Sequence, residues 1–161
     1  RPEQLDGLYN QGELTNIKVV QGTINADERE KINEHIVTTI NMLKDLPFPP
    51  ELSNIVEYAG AHHERVDGRG YPNGLTGEQM SVPAKIMAIA DVYEALTAKD
   101  RPYKEPKKLS AVLRIMQNMK NSGHLDPDLY NLFITSGVYI EYAKEYLDKD
   151  QIDEINPEEF L

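Results

Sequence analysis

At 161 residues the chain has the size of one domain, or of a large part of a somewhat bigger one. Its 40% apolar and 27% charged fractions suit a globular protein, no apolar run approaches the roughly 20 residues that span a bilayer, and the mixed polar start from Arg1 to Asn10 carries no export signal, so no membrane contact and a cytoplasmic location are expected. The absence of cysteine excludes disulfides and thiolate metal sites, and a formal net charge of −10 argues against unselective binding to long nucleic acids.

Residues 1–22 have weak periodicity, as if they were part of an element whose partners lie upstream. The first clear helix is expected from Asn25, with Glu28 in the capping-box position, to about Leu46, where Pro47, Pro49 and Pro50 stop it. Ile32, Ile36, Ile40 and Leu43 form its apolar face, and His35 beside Ile36 is expected to point inward. Pro50 is placed to open a second helix with Leu52, Ile55, Val56 and Ala59 facing the core and His62 and His63 extending that face. The glycine-rich run from Asp67 to Gly74 can only be a loop with special backbone angles.

A third helix is predicted from about Pro83 to Lys99, where Asp91 interrupts an almost unbroken apolar run. Another is predicted from about Lys107 to Asn121, with Leu109, Val112, Leu113, Met116 and Met119 inward and Gly123 at its end. Asp126-Pro127 reads as a cap followed by a proline at the first helical position. Beyond Gly137 helical periodicity is weak, and from Asp148 a mostly exposed acidic tail is expected. Strand signals are scarce, so the fold class is all-α. The division is a partial upstream element at 1–22, a helical domain at 23–147 and the tail at 148–161.

His35, the adjacent His62 and His63, and Asp91 would lie on the inward sides of three different helices. A single histidine on an apolar face is usually a satisfied core residue, but buried imidazoles and carboxylates are costly unless paired or bound to metal, and helical bundles build metal sites from facing helices. A shared centre of divalent ions with nitrogen and oxygen ligands accounts for all four. Neighbouring helical residues point about 100° apart, so the histidine pair could serve two ions. Glu64 is placed to orient a histidine from behind. His124 fits a capping or surface role better than ligation. Arg101, Lys104, Lys107 and Lys108 form the densest basic stretch and could meet a small anion, or simply be solvated.

The run from His62 to Leu75, HHERVDGRGYPNGL, resembles the HHExxDGxGYPxGL signature of HD-GYP domains. The run from Ile89 to Thr97 followed by Arg101-Pro102-Tyr103-Lys104 resembles a second block of that family, and Gly22 to His35 resembles the helix that supplies another ligand; together these cover roughly residues 22–128. The resemblance implies an HD-superfamily helical bundle around two or three metal ions, iron or manganese, that hydrolyses cyclic di-GMP to its linear dinucleotide or to GMP in bacterial signalling. By motif position the implied metal ligands are His35, His62, His63 and Asp91. Arg101 and Lys104 would hold substrate phosphate, and Gly70, Tyr71 and Pro72 would line the substrate side.

The family's His-Asp dyad is missing from this sequence, whose four histidines are followed by Ile36, His63, Glu64 and Leu125. Because Arg1 to Thr23 resembles the stretch after that dyad, the favoured expectation is N-terminal truncation, with an incomplete centre and little activity in this chain alone unless an upstream segment or regulatory domain completes it. The alternative is a catalytically degenerate module that binds a ligand or docks a protein.

Overall fold

The computed structural model describes residues 26–98 and 106–161, with side chains described from residue 34 onward. The upstream element at 1–22, the Asn25–Glu28 capping box, Ile32, Lys99 and the cations Arg101 and Lys104 lie outside what it describes. Six α-helices follow in order: α1 (Ala26–Lys44), α2 (Ile55–Gly60), α3 (Val82–Thr97), α4 (Leu109–Asn121), α5 (Pro127–Ser136) and α6 (Val138–Tyr146). Short 3-10 turns occupy Pro50–Leu52, Lys149–Gln151 and Pro157–Phe160. Among the described residues there is no strand, only an isolated antiparallel bridge between Asp67 and Thr76, and no helix is long and apolar enough to cross a membrane. The all-α expectation holds.

The main core belongs to the C-terminal two-thirds. Helix α4 contributes Leu109, Val112, Leu113 and Met116, α3 contributes Ile89 and Tyr93, and Tyr130, Ile134, Tyr139 and Ala143 close the cluster. Burying each large apolar side chain of this kind stabilises by about 1.5–3 kcal/mol. Helix starts and stops are locally encoded. The Asp126 carboxylate accepts N–H bonds from Asp128 and Leu129 with Pro127 at the first position of α5, and Gly137, at φ +74°, ends that helix in a left-handed turn that starts α6.

The segment after Asp148 is mostly exposed, and a few of its residues anchor it to the core. Gln151 and Phe160 are buried, and Ile152 and Ile155 pack against the main core. Asp153 accepts from both the backbone N–H and the hydroxyl of Ser110. The Gln151 amide donates to the carbonyls of Thr97 and Lys107 at 3.1 and 3.4 Å. The acids of this stretch, Asp153 apart, mark its exposed residues, while its few anchors are spaced too irregularly to show helical periodicity.

The second helix also differs from expectation. Pro50 opens only a 3-10 turn, Leu52 is exposed, and α2 ends at Gly60, so His62 and His63 lie in the turn beyond the helix. Within α2, a Cβ on Gly60 would sit 2.9 Å from the Ile40 side chain, so the glycine lets α1 and α2 approach closely. With His62 and His63 beyond the helix, the about 100° relation between neighbouring helical residues does not describe this pair. On α1, Ile36 is fully buried, but His35 next to it is exposed at the rim rather than pointing into the core.

Candidate metal centre

Two separate elements bring three imidazoles together. His35 comes from the middle of α1, and His62 and His63 come from the turn after α2, where the Glu64 N–H donates to the Ala61 carbonyl at 3.0 Å. Each of the three offers a ring nitrogen, and these atoms all lie within 4.8 Å of one another. The ring centroids of His62 and His63 are 4.4 Å apart, and His35 lies 5.2 Å from His63 and 6.5 Å from His62.

The ring chemistry suits ligation. His62 Nδ1 lies 2.6 Å from the Ala59 carbonyl oxygen. A carbonyl can only accept, so Nδ1 carries the proton and Nε2 presents its lone pair. For His63, burial pushes the pKa down. The neighbouring His62 and then His35 and His124 add to this, and Asp91 opposes it only in part, so the ring favours its neutral, metal-binding form. A cluster of imidazole nitrogen donors without thiolate fits a borderline divalent cation such as iron, cobalt or zinc.

Asp91, on α3, is half-buried and lies outside the three-histidine group. Its negative charge partly opposes the lowering of the His63 pKa and adds to the raising of the Tyr71 pKa.

The glycine-rich loop folds back over the histidine turn. A Cβ on Gly70 would sit 2.4 Å from the Glu64 Cα and the Arg65 nitrogen, so only glycine lets the two backbones meet. The Tyr71 N–H donates to the His63 carbonyl at 3.3 Å. Its ring stacks on the His63 imidazole, with centroids 4.9 Å apart and planes inclined by 13°. The Tyr71-Pro72 peptide is cis. Burial first, and then the charge of Asp91, push the Tyr71 phenol up, so it remains protonated.

Glu64, 1% exposed, accepts the N–H groups of Asn73 at 2.7 Å and Leu75 at 2.9 Å. The carboxylate expected to orient a histidine is therefore committed to the loop backbone. At the loop's other edge Arg65 forks onto Asp67 at 3.1 and 2.7 Å, and the carbonyls of Gly123 and His124 accept from Asp67 and Val66. The His124 ring is half-buried, its pKa lowered by burial and then by Arg65 against the opposing pull of Asp67, and it is not part of the three-histidine group. The sequence pointed to the three histidines and the loop. It gave no sign of the Tyr71–His63 stack beyond the loop's following the pair directly.

A family model for the HD domain matches residues 6–129. Among curated proteins the chain is 44% identical over 82 residues, 51% of its length, to a 3'3'-cGAMP-specific phosphodiesterase of Vibrio cholerae. It is 42% identical over 86 residues, 53% of its length, to a cyclic di-GMP phosphodiesterase of Pseudomonas aeruginosa, and 32% identical over 130 residues, 80% of its length, to a probable cyclic di-GMP phosphodiesterase of Vibrio cholerae. The matches span 19%, 20% and 26% of those relatives. HD domains bind divalent metals, and a three-histidine group able to hold one lies within the matched range. On this matched range and on relatives consistent with its HD-GYP signature, the chain belongs to the HD domain family.

Proposed function

We propose that this chain is the metal-holding part of a phosphodiesterase that hydrolyses a cyclic dinucleotide, foremost cyclic di-GMP, in bacterial second-messenger signalling. The observation that carries this reading is the convergence of His35, His62 and His63 within 4.8 Å beneath the Gly70–Pro72 loop. Relatives named for cyclic di-GMP and for 3'3'-cGAMP support the substrate class. His35, His62, His63 and Asp91 would hold two or three ions, iron or manganese. The chemistry such ions supply is charge stabilisation at phosphorus and a more acidic hydrolytic water.

The chain's own residues do the rest. Ala59 fixes the His62 tautomer, and burial keeps His63 neutral. Gly70, Tyr71 and Pro72 line the substrate side. Arg101 offers a planar fork and Lys104 a point charge to the substrate's phosphates, in a chain whose net charge otherwise repels them.

A second reading is a degenerate module that binds nucleotide or a protein without cleaving it. The two separate in one experiment on the full-length protein, loaded anaerobically with Fe(II) or Mn(II) and offered cyclic di-GMP and 3'3'-cGAMP. Turnover to linear dinucleotide or GMP, with stoichiometric metal lost on His63→Ala, is expected. Binding without turnover selects the module, and neither binding nor turnover removes both readings.

A further inference from the structure

We propose that Tyr71 is a positioning residue for His63 and that Glu64 is the latch that holds Tyr71 in place; the inference rests on the metal-centre reading above. An imidazole turns freely between broad wells about its last torsion unless something packs on its face. Tyr71 supplies that face, near-parallel at 13° and 4.9 Å, while His62 and His35 crowd the ring from other directions.

The stack is held by the residue next to the ligand. Glu64 follows His63 directly, and its buried carboxylate accepts one loop N–H on each oxygen, from Asn73 and from Leu75. A buried carboxylate without such bonds would be costly, so the loop cannot leave without stranding it. Gly70 lies against the Glu64 backbone, and the Tyr71 N–H bonds to the His63 carbonyl. Ligand, latch and stacking ring thus move as one unit, which ties the GYP loop to metal affinity as well as to substrate.

The test uses Co(II) as a spectroscopic probe, titrated into the full-length protein and into its Tyr71→Phe, Tyr71→Leu and Glu64→Gln variants. Affinity and the visible absorption bands are read out, and folding is checked by circular dichroism. Tyr71→Phe keeps the aromatic face and should bind within about twofold of the parent, whereas Tyr71→Leu, which stays apolar but has no ring face, should bind about tenfold more weakly with shifted bands. Glu64→Gln, which turns an amide N–H toward one loop N–H, should weaken binding in the same sense. If it fails to fold, the Tyr71 pair still decides. A parent that binds Co(II) together with an equally tight Tyr71→Leu overturns the latch alone. A parent that takes up no Co(II) removes the metal-centre reading and the latch with it.

Discussion

The two halves of the molecule are held together by different physics. The C-terminal half is an apolar core in which α3, α4, α5 and α6 bury one continuous cluster from Ile89 to Phe160. The half around the histidines has a small separate cluster of Ala61, Met80 and Ala84, flanked by Val66 and Leu75. Its shape comes from polar contacts and one close backbone approach: the Glu64 carboxylate on two loop N–H groups, the Arg65–Asp67 fork and the meeting of Gly70 with the Glu64 backbone. An apolar core tolerates exchange of one hydrophobic residue for another of like volume. A site built on fixed N–H groups and a missing Cβ has no such tolerance, which is what a metal centre needs if its ligands are to be held in register.

The largest effect expected from a single change should leave the site untouched. Leu113 is fully buried in α4, and Leu113→Ala should cost about 2–5 kcal/mol of folding free energy through lost burial and the cavity left behind. Metal affinity of the folded protein should not change. Urea unfolding followed by Co(II) titration under native conditions measures both, and a parallel fall in affinity would break the division between the halves.

That division also governs what could be read from the sequence. The core helices were legible because burial imposes a period: Leu109, Val112, Leu113 and Met116 fall on one stripe and are all buried. Asp126-Pro127 and Gly123 marked boundaries through local backbone chemistry. The close approach of α1 and α2 was hidden because it rests on Gly60 meeting Ile40, a contact between residues 20 positions apart. The bonds of Glu64 to the loop were hidden for the same reason, since its partners at Asn73 and Leu75 are backbone groups, and side-chain identity says nothing about where those N–H groups point. Arg101 and Lys104 lie outside the described residues, so the cationic part of the site rests on motif position.

Next in size is Gly70→Ala. Its Cβ would meet the Arg65 nitrogen and Glu64 Cα at 2.4 Å, and backbone cannot swing aside as a side chain can. A cost of about 1–3 kcal/mol is expected from overpacking, and here, unlike Leu113→Ala, metal affinity should fall with stability. Retained affinity would show that the loop and the histidine turn are independent.

The two halves meet at a charged joint, which gives a smaller effect. Lys85 on α3 lies 3.0 Å from the Asp126 carboxylate, which also caps α5. Asp126→Ala removes cap and pair together and should cost about 0.5–2 kcal/mol, the range of a lost N-cap. Asp126→Asn keeps a good cap and removes only the charge, so it should cost less. Equal losses from both would assign the whole effect to the ion pair.

The smallest effect is the pH dependence of that joint. Burial pushes the Asp126 carboxyl up, but the Leu129 N–H, the hydrogen bond and charge of Lys85 and the Asp128 N–H together hold it below the usual carboxylate range. A depressed folded-state pKa means that the unfolded chain takes up the proton first as pH falls. The carboxylate's contribution is therefore fully present above the unfolded value of about 4, and is lost as pH drops through the lower folded value. Asp67 and Asp153 are shifted in the same direction, so the parent's stability alone cannot isolate Asp126. The difference in urea midpoint between the parent and Asp126→Asn does isolate it. That difference should be constant from pH 7 to 5 and should shrink below about pH 4 as the parent protonates. A difference that stayed constant to pH 3 would mean that Lys85 and the helix N-terminus do not favour the charged form of Asp126.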